Sequence, residues 1–288
     1  MKQREARIVL DLLLAQRQGA AGLARRQEAR LASLVAQARA GSPFYRRLYR
    51  GQPSDGVVLR DLPPVTKPQL MAAFDDWVTD PAVTREGIEA FVADPSLIGT
   101  LYLGRYSVCT SSGTTGRPGL FVHDRGAIAV YRALVMRITF SLLSAGDILR
   151  LVRRGLRWAV VVGTGGHFAA TTWLEAERRR SRWRRRAYRV FSVQQPLAEL
   201  VAALNSFDPS ALTAYPSALE LLAGEQEAGR LHLRPEFVQL AGESMRPEAR
   251  AHVAAALDGA VHDVYAASEF TPAAFDCEHG WLHVNSDW

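Results

Sequence analysis

Residues 109–118 read Cys-Thr-Ser-Ser-Gly-Thr-Thr-Gly-Arg-Pro. Gly113 and Gly116 remove two side chains and admit positive φ. Ser111, Ser112, Thr114 and Thr115 set four hydroxyls around them. A loop of this kind offers backbone N–H groups and hydroxyls to a polyphosphate. It is not a Walker loop, because no Gly-Lys-Ser/Thr closes it. By composition alone, a solvated Ser/Gly turn fits these residues as well.

Other residue types invite other chemistry. Cys277, His279 and His283 offer three zinc donors, but the C-x-H-x3-H spacing is loose and no Cys-x-x-Cys accompanies it. Without a metal, Cys277 reads as a buried thiol. His167 follows Thr164-Gly165-Gly166 at the end of an apolar run, Trp158 to Gly163. Loops at the carboxyl ends of parallel strands are where open α/β sheets bind ligands, although a lone histidine also packs in cores. Seven arginines fall between Arg178 and Arg186. Without them the chain has 28 basic and 29 acidic residues, so the net charge of +6 is one local feature. The run reads as a solvated face or a flexible loop. Its functional alternatives are docking of an acidic carrier protein or of coenzyme A phosphates. Trp183 within it raises nucleic-acid stacking, with no second element of such a site elsewhere. Trp158, Trp173 and Phe168 suit an aromatic acid, and equally a core.

The elements that must position these residues alternate. Residues 1–40 read as one or two helices broken near Gly19–Gly22, and Pro43 to Tyr49 as a short aromatic and basic segment. Thr66 and Thr84 are N-cap candidates for helices over 68–74 and 85–93. Beyond 100 the spacing predicts a short apolar run at 106–109, a helix at 127–143 and strands at 147–152, 158–163 and 188–193. Further strands come at 212–215, 237–241 and 261–265. Helices at 197–207, 216–223 and 247–257 separate these later strands. Strand–helix alternation implies a mostly parallel sheet with helices on its faces. The 288 residues are 48% hydrophobic, which excludes wholesale disorder. Two cysteines exclude a disulfide-dense secreted scaffold. No segment reaches the ~20 apolar residues of a membrane helix. A cytoplasmic α/β protein is the expectation.

The order Ser-Ser-Gly-Thr-Thr-Gly-Arg-Pro resembles the phosphate-binding signature of the adenylate-forming superfamily: acyl- and aryl-CoA ligases, peptide-synthetase adenylation domains and luciferases. Ser42-Pro43-Phe44-Tyr45-Arg46, Leu62-Pro63-Pro64-Val65-Thr66-Lys67, Leu70-Met71 and Phe74-Asp75 look like the N-terminal region of its phenylacetate–CoA ligase branch. Gly165-Gly166-His167-Phe168, Ala214-Tyr215-Pro216-Ser217 and Ala241-Gly242-Glu243 fit that branch in the same order. Tyr265-Ala266-Ala267-Ser268-Glu269 resembles the superfamily's Tyr-Gly-x-Thr-Glu motif. Cys277 with Gly280-Trp281-Leu282-His283 matches the segment that lies beyond this motif in the same branch. The resemblance covers nearly the whole chain.

The resemblance implies ATP-dependent activation of an acyl or aryl acid as its adenylate, for transfer to CoA or a carrier thiol. Ser111, Ser112, Gly113, Thr114, Thr115 and Gly116 would hold the β- and γ-phosphates and the leaving pyrophosphate. Glu269 would ligate magnesium, with Thr114 as a second candidate. Ser268 would keep a hydroxyl for the α-phosphate. Glu269, Ser268 and Thr115 are the implied catalytic residues. Tyr265 would stack on adenine, and Gly242 and Glu243 would border adenine and ribose. Gly166, His167, Tyr215 and Pro216 would line the acyl pocket. Residues 1–100 would be a helical region of the large domain, and 101–288 a nucleotide- and acyl-binding core.

The sequence also departs from the pattern. Ala266 replaces a glycine, Ser268 a threonine, and Gly119 stands where many relatives carry lysine. Superfamily members continue past this point with a Thr-Gly-Asp segment, a hinge and a small domain bearing a catalytic lysine. These 288 residues hold none of them, and lysine occurs only at Lys2 and Lys67. The expectation is therefore a truncated large domain with weak or no ligase activity, thioester formation suffering most. The competing expectation is a non-catalytic nucleotide- or partner-binding relative.

Overall fold

The computed structural model describes residues 2–53, 56–111, 118–277 and 279–288. The first hundred residues are helices and turns. They comprise α1 (Lys2–Gln16), α2 (Gly19–Gly41), α3 (Pro43–Leu48), α4 (Lys67–Ala72), α5 (Phe74–Trp77) and α6 (Arg85–Ala93). Local chemistry sets their starts. Ser42 Oγ accepts from Tyr45 N at 3.2 Å ahead of α3. Gln69 Oε1 accepts from Thr66 N at 2.8 Å ahead of α4. Thr84 Oγ1 accepts from Gly87 N at 3.2 Å ahead of α6.

An antiparallel hairpin comes next, β1 (Ser107–Thr110) and β2 (Leu120–His123), paired from Ser107↔His123 to Thr110↔Leu120. Its two faces do different work, because side chains alternate along a strand. Val108, Leu120 and Val122 pack against Phe74, Val83, Ile88 and Phe91 of the helical region. Ser107, Cys109, Phe121 and His123 are on the other face, toward α7 (Arg125–Leu142).

After α7 come α8 (Ala145–Arg153), β3 (Trp158–Val162), α9 (Ala169–Arg179), α10 (Arg182–Ala187), β4 (Tyr188–Ser192) and α11 (Leu197–Phe207). The series ends with β5 (Ala211–Ala214), α12 (Pro216–Glu227), β6 (Phe237–Leu240), α13 (Pro247–Ala256), β7 (Val261–Tyr265), β8 (Ala274–Phe275) and β9 (His283–Val284). The large sheet has the order β4-β3-β5-β6-β7-β8-β9. Pairing is parallel from β4 to β7 and antiparallel through β8 and β9. Ala159, Val161, Leu212, Ala214, Val238 and Leu240 face α11, α12 and α13 through Leu204, Leu219, Leu222, Val253 and Leu257. On the opposite face Val160 and Val162 meet Leu174 of α9. The alternation within β3 thus separates two helical layers. Among the described residues no single helix is long and apolar enough to cross a membrane.

One sequence expectation is corrected. Residues 147–152 form helix α8, not a strand. Ser144 and Asp147 make a capping box: Ser144 N donates to Asp147 Oδ2 at 2.8 Å and Asp147 N to Ser144 Oγ at 3.2 Å. Ile148 and Leu151, three apart, share one helical face toward Leu143, Ala211 and Phe237. As a strand the segment would have no single apolar face.

Candidate active site

The strand order defines a crevice. From β3 the chain crosses to β4 on one side, then returns to β5 on the other side of β3. The carboxyl ends of β3 and β5 therefore flank a topological switch point, where open α/β sheets take their ligands. Gly163 to Gly166 leave β3 here, and Tyr215-Pro216 leave β5. Tyr215 spans the gap: its hydroxyl accepts from Gly163 N at 3.3 Å. A Cβ on Gly242 would stand 3.2 Å from the Tyr215 ring, and Gly242 has φ +73°. Only glycine meets both demands. Glu243 accepts from Ser217 Oγ at 3.1 Å, which ties the end of β6 to the start of α12. Leu240 pairs with Asp263, so Gly242 and Tyr265 leave adjacent strands at the same margin. Tyr265 is 60% exposed there, and its ring is open to a ligand.

Gly242→Ala would add a Cβ against Tyr215 in a left-handed conformation. The expected outcome is a loss of roughly 1–3 kcal/mol in thermal or denaturant unfolding. A displaced Tyr215 would report the same clash in its near-ultraviolet circular dichroism.

The β1–β2 hairpin carries the polar loop at its tip. Ser112, Gly113, Thr114, Thr115 and Gly116 lie outside the described residues; Ser111 and Gly119 form the neck. Ser111 N donates to Gly119 O at 3.1 Å, and Gly119 N donates to Ser111 Oγ at 2.8 Å. Thr110 N donates to His167 O at 2.7 Å, which joins the neck to the loop after β3. A Cβ on Gly119 would stand 2.7 Å from the Phe121 ring and 3.2 Å from Lys67 Cδ. Glycine at 119 thus makes room for the Lys67 stem beside the neck.

The same hairpin holds the segment after β7. His123 Nε2 donates to Ser268 O at 2.9 Å, and Cys109 Sγ donates to that carbonyl at 3.5 Å. Tyr131 of α7 reaches His123 Nδ1 at 3.2 Å and Glu269 O at 3.4 Å. Ser268 Oγ donates to Thr110 O at 3.5 Å. Burial pushes the Cys109 thiol and the Tyr131 phenol each up to about 12, and burial lowers His123. All three groups are therefore neutral at pH 7, so they supply hydrogen bonds rather than charge. The Glu269 side chain is exposed.

His167 and the candidate zinc donors are placed differently from the rest. The His167 ring is 1% exposed and packs on Phe91, with Nε2 at 3.1 Å from Asp94 O. Its main chain, not its imidazole, meets the loop neck. Cys277, His279 and His283 do not gather: among the described residues no three His, Cys, Asp or Glu form a metal-holding group.

The arginine run spans the end of α9, a turn at Arg180–Ser181 and α10, and most of it is a solvated face rather than a long loop. Glu177, 7% exposed, takes contacts from Arg132, Arg180 and Arg184, while Arg178 pairs with Glu175. Because α10 leads into the amino end of β4, the run lies at the opposite end of the sheet from the ligand loops.

The overall fold is shared with an acyl-CoA ligase of known structure. The chain matches 2-hydroxyisobutyryl-CoA ligase in complex with 2-HIB-AMP and CoA in its thioesterification state, with a TM-score of 0.64 and 22% identity. That match covers 91% of this chain and 53% of the ligase. An open conformation of the same ligase with 2-HIB-AMP and CoA gives 0.60 and 20%, over 88% of this chain and 52% of that one. Its postadenylation state with 2-HIB-AMP gives 0.60 and 21%, over 88% and 50%. The chain thus has the fold of this ligase over about half its length. No protein-family model and no curated protein sequence matches it.

Proposed function

We propose that this chain is the carboxylate-activating part of an adenylate-forming ligase. A carboxylate oxygen attacks the α-phosphorus of ATP and pyrophosphate leaves, giving an acyl-adenylate; a thiol of CoA or of a carrier protein then displaces AMP. In-line displacement asks the protein mainly for positioning and charge neutralisation. The observation that carries the reading is one hairpin doing two jobs. It closes the neck of the Ser/Thr/Gly loop and holds Ser268–Glu269, beside the switch-point crevice.

Ser111 to Gly116 hold the β- and γ-phosphates, with Lys67 alongside. Ser268 donates to the α-phosphate and Tyr265 stacks on adenine. Gly242 and Glu243 border the nucleotide. Gly166, Tyr215, Pro216 and the His167 main chain form the acyl wall. Glu269 suits magnesium, since it is exposed and makes no ion pair with the described residues. Magnesium takes one or two carboxylates together with phosphate oxygens and water. Bound there, it would neutralise phosphate charge. The branch and the cytoplasmic location belong to this proposal, as do the boundary near residue 100 and the identity of the acid.

The test incubates the chain with Mg·ATP and a panel of alkyl, hydroxyalkyl and aryl acids, and seeks acyl-adenylates by mass spectrometry. An adenylate from one acid class supports the reading. Nucleotide binding with no adenylate from any acid would leave a binding module instead.

A further inference from the structure

We infer that His123, oriented by Tyr131, is the positioning residue that fixes the Ser268–Glu269 segment relative to the loop neck. The inference rests on the adenylation reading above for its functional meaning, but its geometry stands alone. Ser268 O can only accept, so His123 Nε2 carries the hydrogen of that 2.9 Å bond. In the neutral ring Nδ1 is then an acceptor, and the Tyr131 hydroxyl at 3.2 Å is its donor. Tyr131 in turn is fixed by edge-on contacts with His123 and Phe270, at centroid distances of 5.5 and 5.3 Å. The ring is thus held from behind while its front nitrogen pins the carbonyl.

The consequence comes from strand register. Ser107↔His123 and Thr110↔Leu120 belong to one short ladder. The histidine that holds Ser268 therefore sits on the same rigid piece as Ser111 and Gly119. The placement of the Ser268 main chain relative to the loop neck at Ser111 and Gly119 is set through His123. Tyr265 lies on β7, in the large sheet, and does not depend on this joint. Losing the joint should harm the phosphate and magnesium side of the site and spare the adenine side.

The test uses the 288-residue chain. Amide exchange across residues 266–271 and affinity for Mg·ATP and for adenosine are measured in wild type, His123→Phe, His123→Gln and Tyr131→Phe. His123→Phe keeps a ring and loses the donor. It is expected to speed local exchange and weaken Mg·ATP each by roughly tenfold, as loss of one fixed hydrogen bond would, with adenosine changed less than about twofold. Glutamine keeps an N–H at similar reach and should recover most of both effects. Tyr131→Phe should move both in the same direction by less. Unchanged exchange and affinity in His123→Phe would overturn the inference. So would exchange raised across the whole sheet with both ligands weakened alike, which is the mark of a merely structural residue. Should His123→Phe fail to fold, Tyr131→Phe decides by the same split, because it removes one oxygen. A wild-type chain that binds neither ligand refutes the nucleotide reading, while the exchange arm still decides whether His123 holds the segment.

Discussion

Glu269→Gln is expected to weaken Mg·ATP binding by roughly 10- to 100-fold, about 1.4–2.8 kcal/mol, while leaving adenosine binding unchanged. Glutamine has the same shape and lacks the charge that magnesium requires. The carboxylate is exposed, so the fold does not depend on it. The Tyr131 hydroxyl lies 3.4 Å from the main-chain oxygen of Glu269, an atom that the substitution leaves in place. Calorimetric titration with and without magnesium separates the ionic contribution from the adenine contribution. Equal affinity in the variant would remove Glu269 from the metal role. The split between Mg·ATP and adenosine guards against mistaking a general loss of structure for loss of a ligand.

The second large effect concerns stability. Arg137 of α7 meets both oxygens of Asp287 at 2.9 and 2.8 Å, with side chains only 10% and 8% exposed. Arg137 also bonds the Asn285 side chain, and Asn285 Nδ2 donates to Pro272 O at 3.0 Å. Residues 285–288 are thus bound to the segment just beyond Ser268–Glu269. Gln27 and Arg30 of α2 add a bond to Ser286 O at 2.8 Å and a cation–π contact with Trp288 at 3.7 Å. Arg137→Met would leave a buried carboxylate without its cation, at a cost of about 3–5 kcal/mol. For a chain of this size that lowers Tm by on the order of 10 °C. Adding Asp287→Leu should restore most of the loss, because it removes the uncompensated charge. A double variant no better than the single one would show that the pair itself, not the stranded charge, carries the stability.

Much of the fold is legible in the sequence because parallel strands buried on both faces read as short apolar runs. Trp158 to Val162 and Phe237 to Leu240 are of this kind. Helix starts are legible where a side chain caps them, as at Thr66 and Thr84. The α8 segment reads wrongly as a strand when its apolar residues are taken without the Ser144–Asp147 capping box that precedes them. Strand β2 escapes a reading by pattern: four residues between a loop and a long helix carry too little of one. That omission hides the most informative part of the candidate site. His123 is opposite Ser107 only once the hairpin is paired. Lys67 reaches Gly119 only once α4 packs beside β2. No spacing in the sequence encodes either contact. The arginine run is a mostly solvated face, as one reading of the sequence has it, but the Arg184–Glu177 pair forms only when α9 and α10 come together. The candidate site residues are proposed from type and order, whereas the contacts of His123 and Lys67 come from tertiary packing alone.

The central claim is that this chain holds a nucleotide triphosphate through its hairpin loop and Glu269. Isothermal titration of the wild-type chain with ATP, with magnesium and then with excess chelator, tests it most directly. One site per chain, weakened when magnesium is removed, is the predicted result. No heat of binding at millimolar Mg·ATP from a folded chain would contradict it.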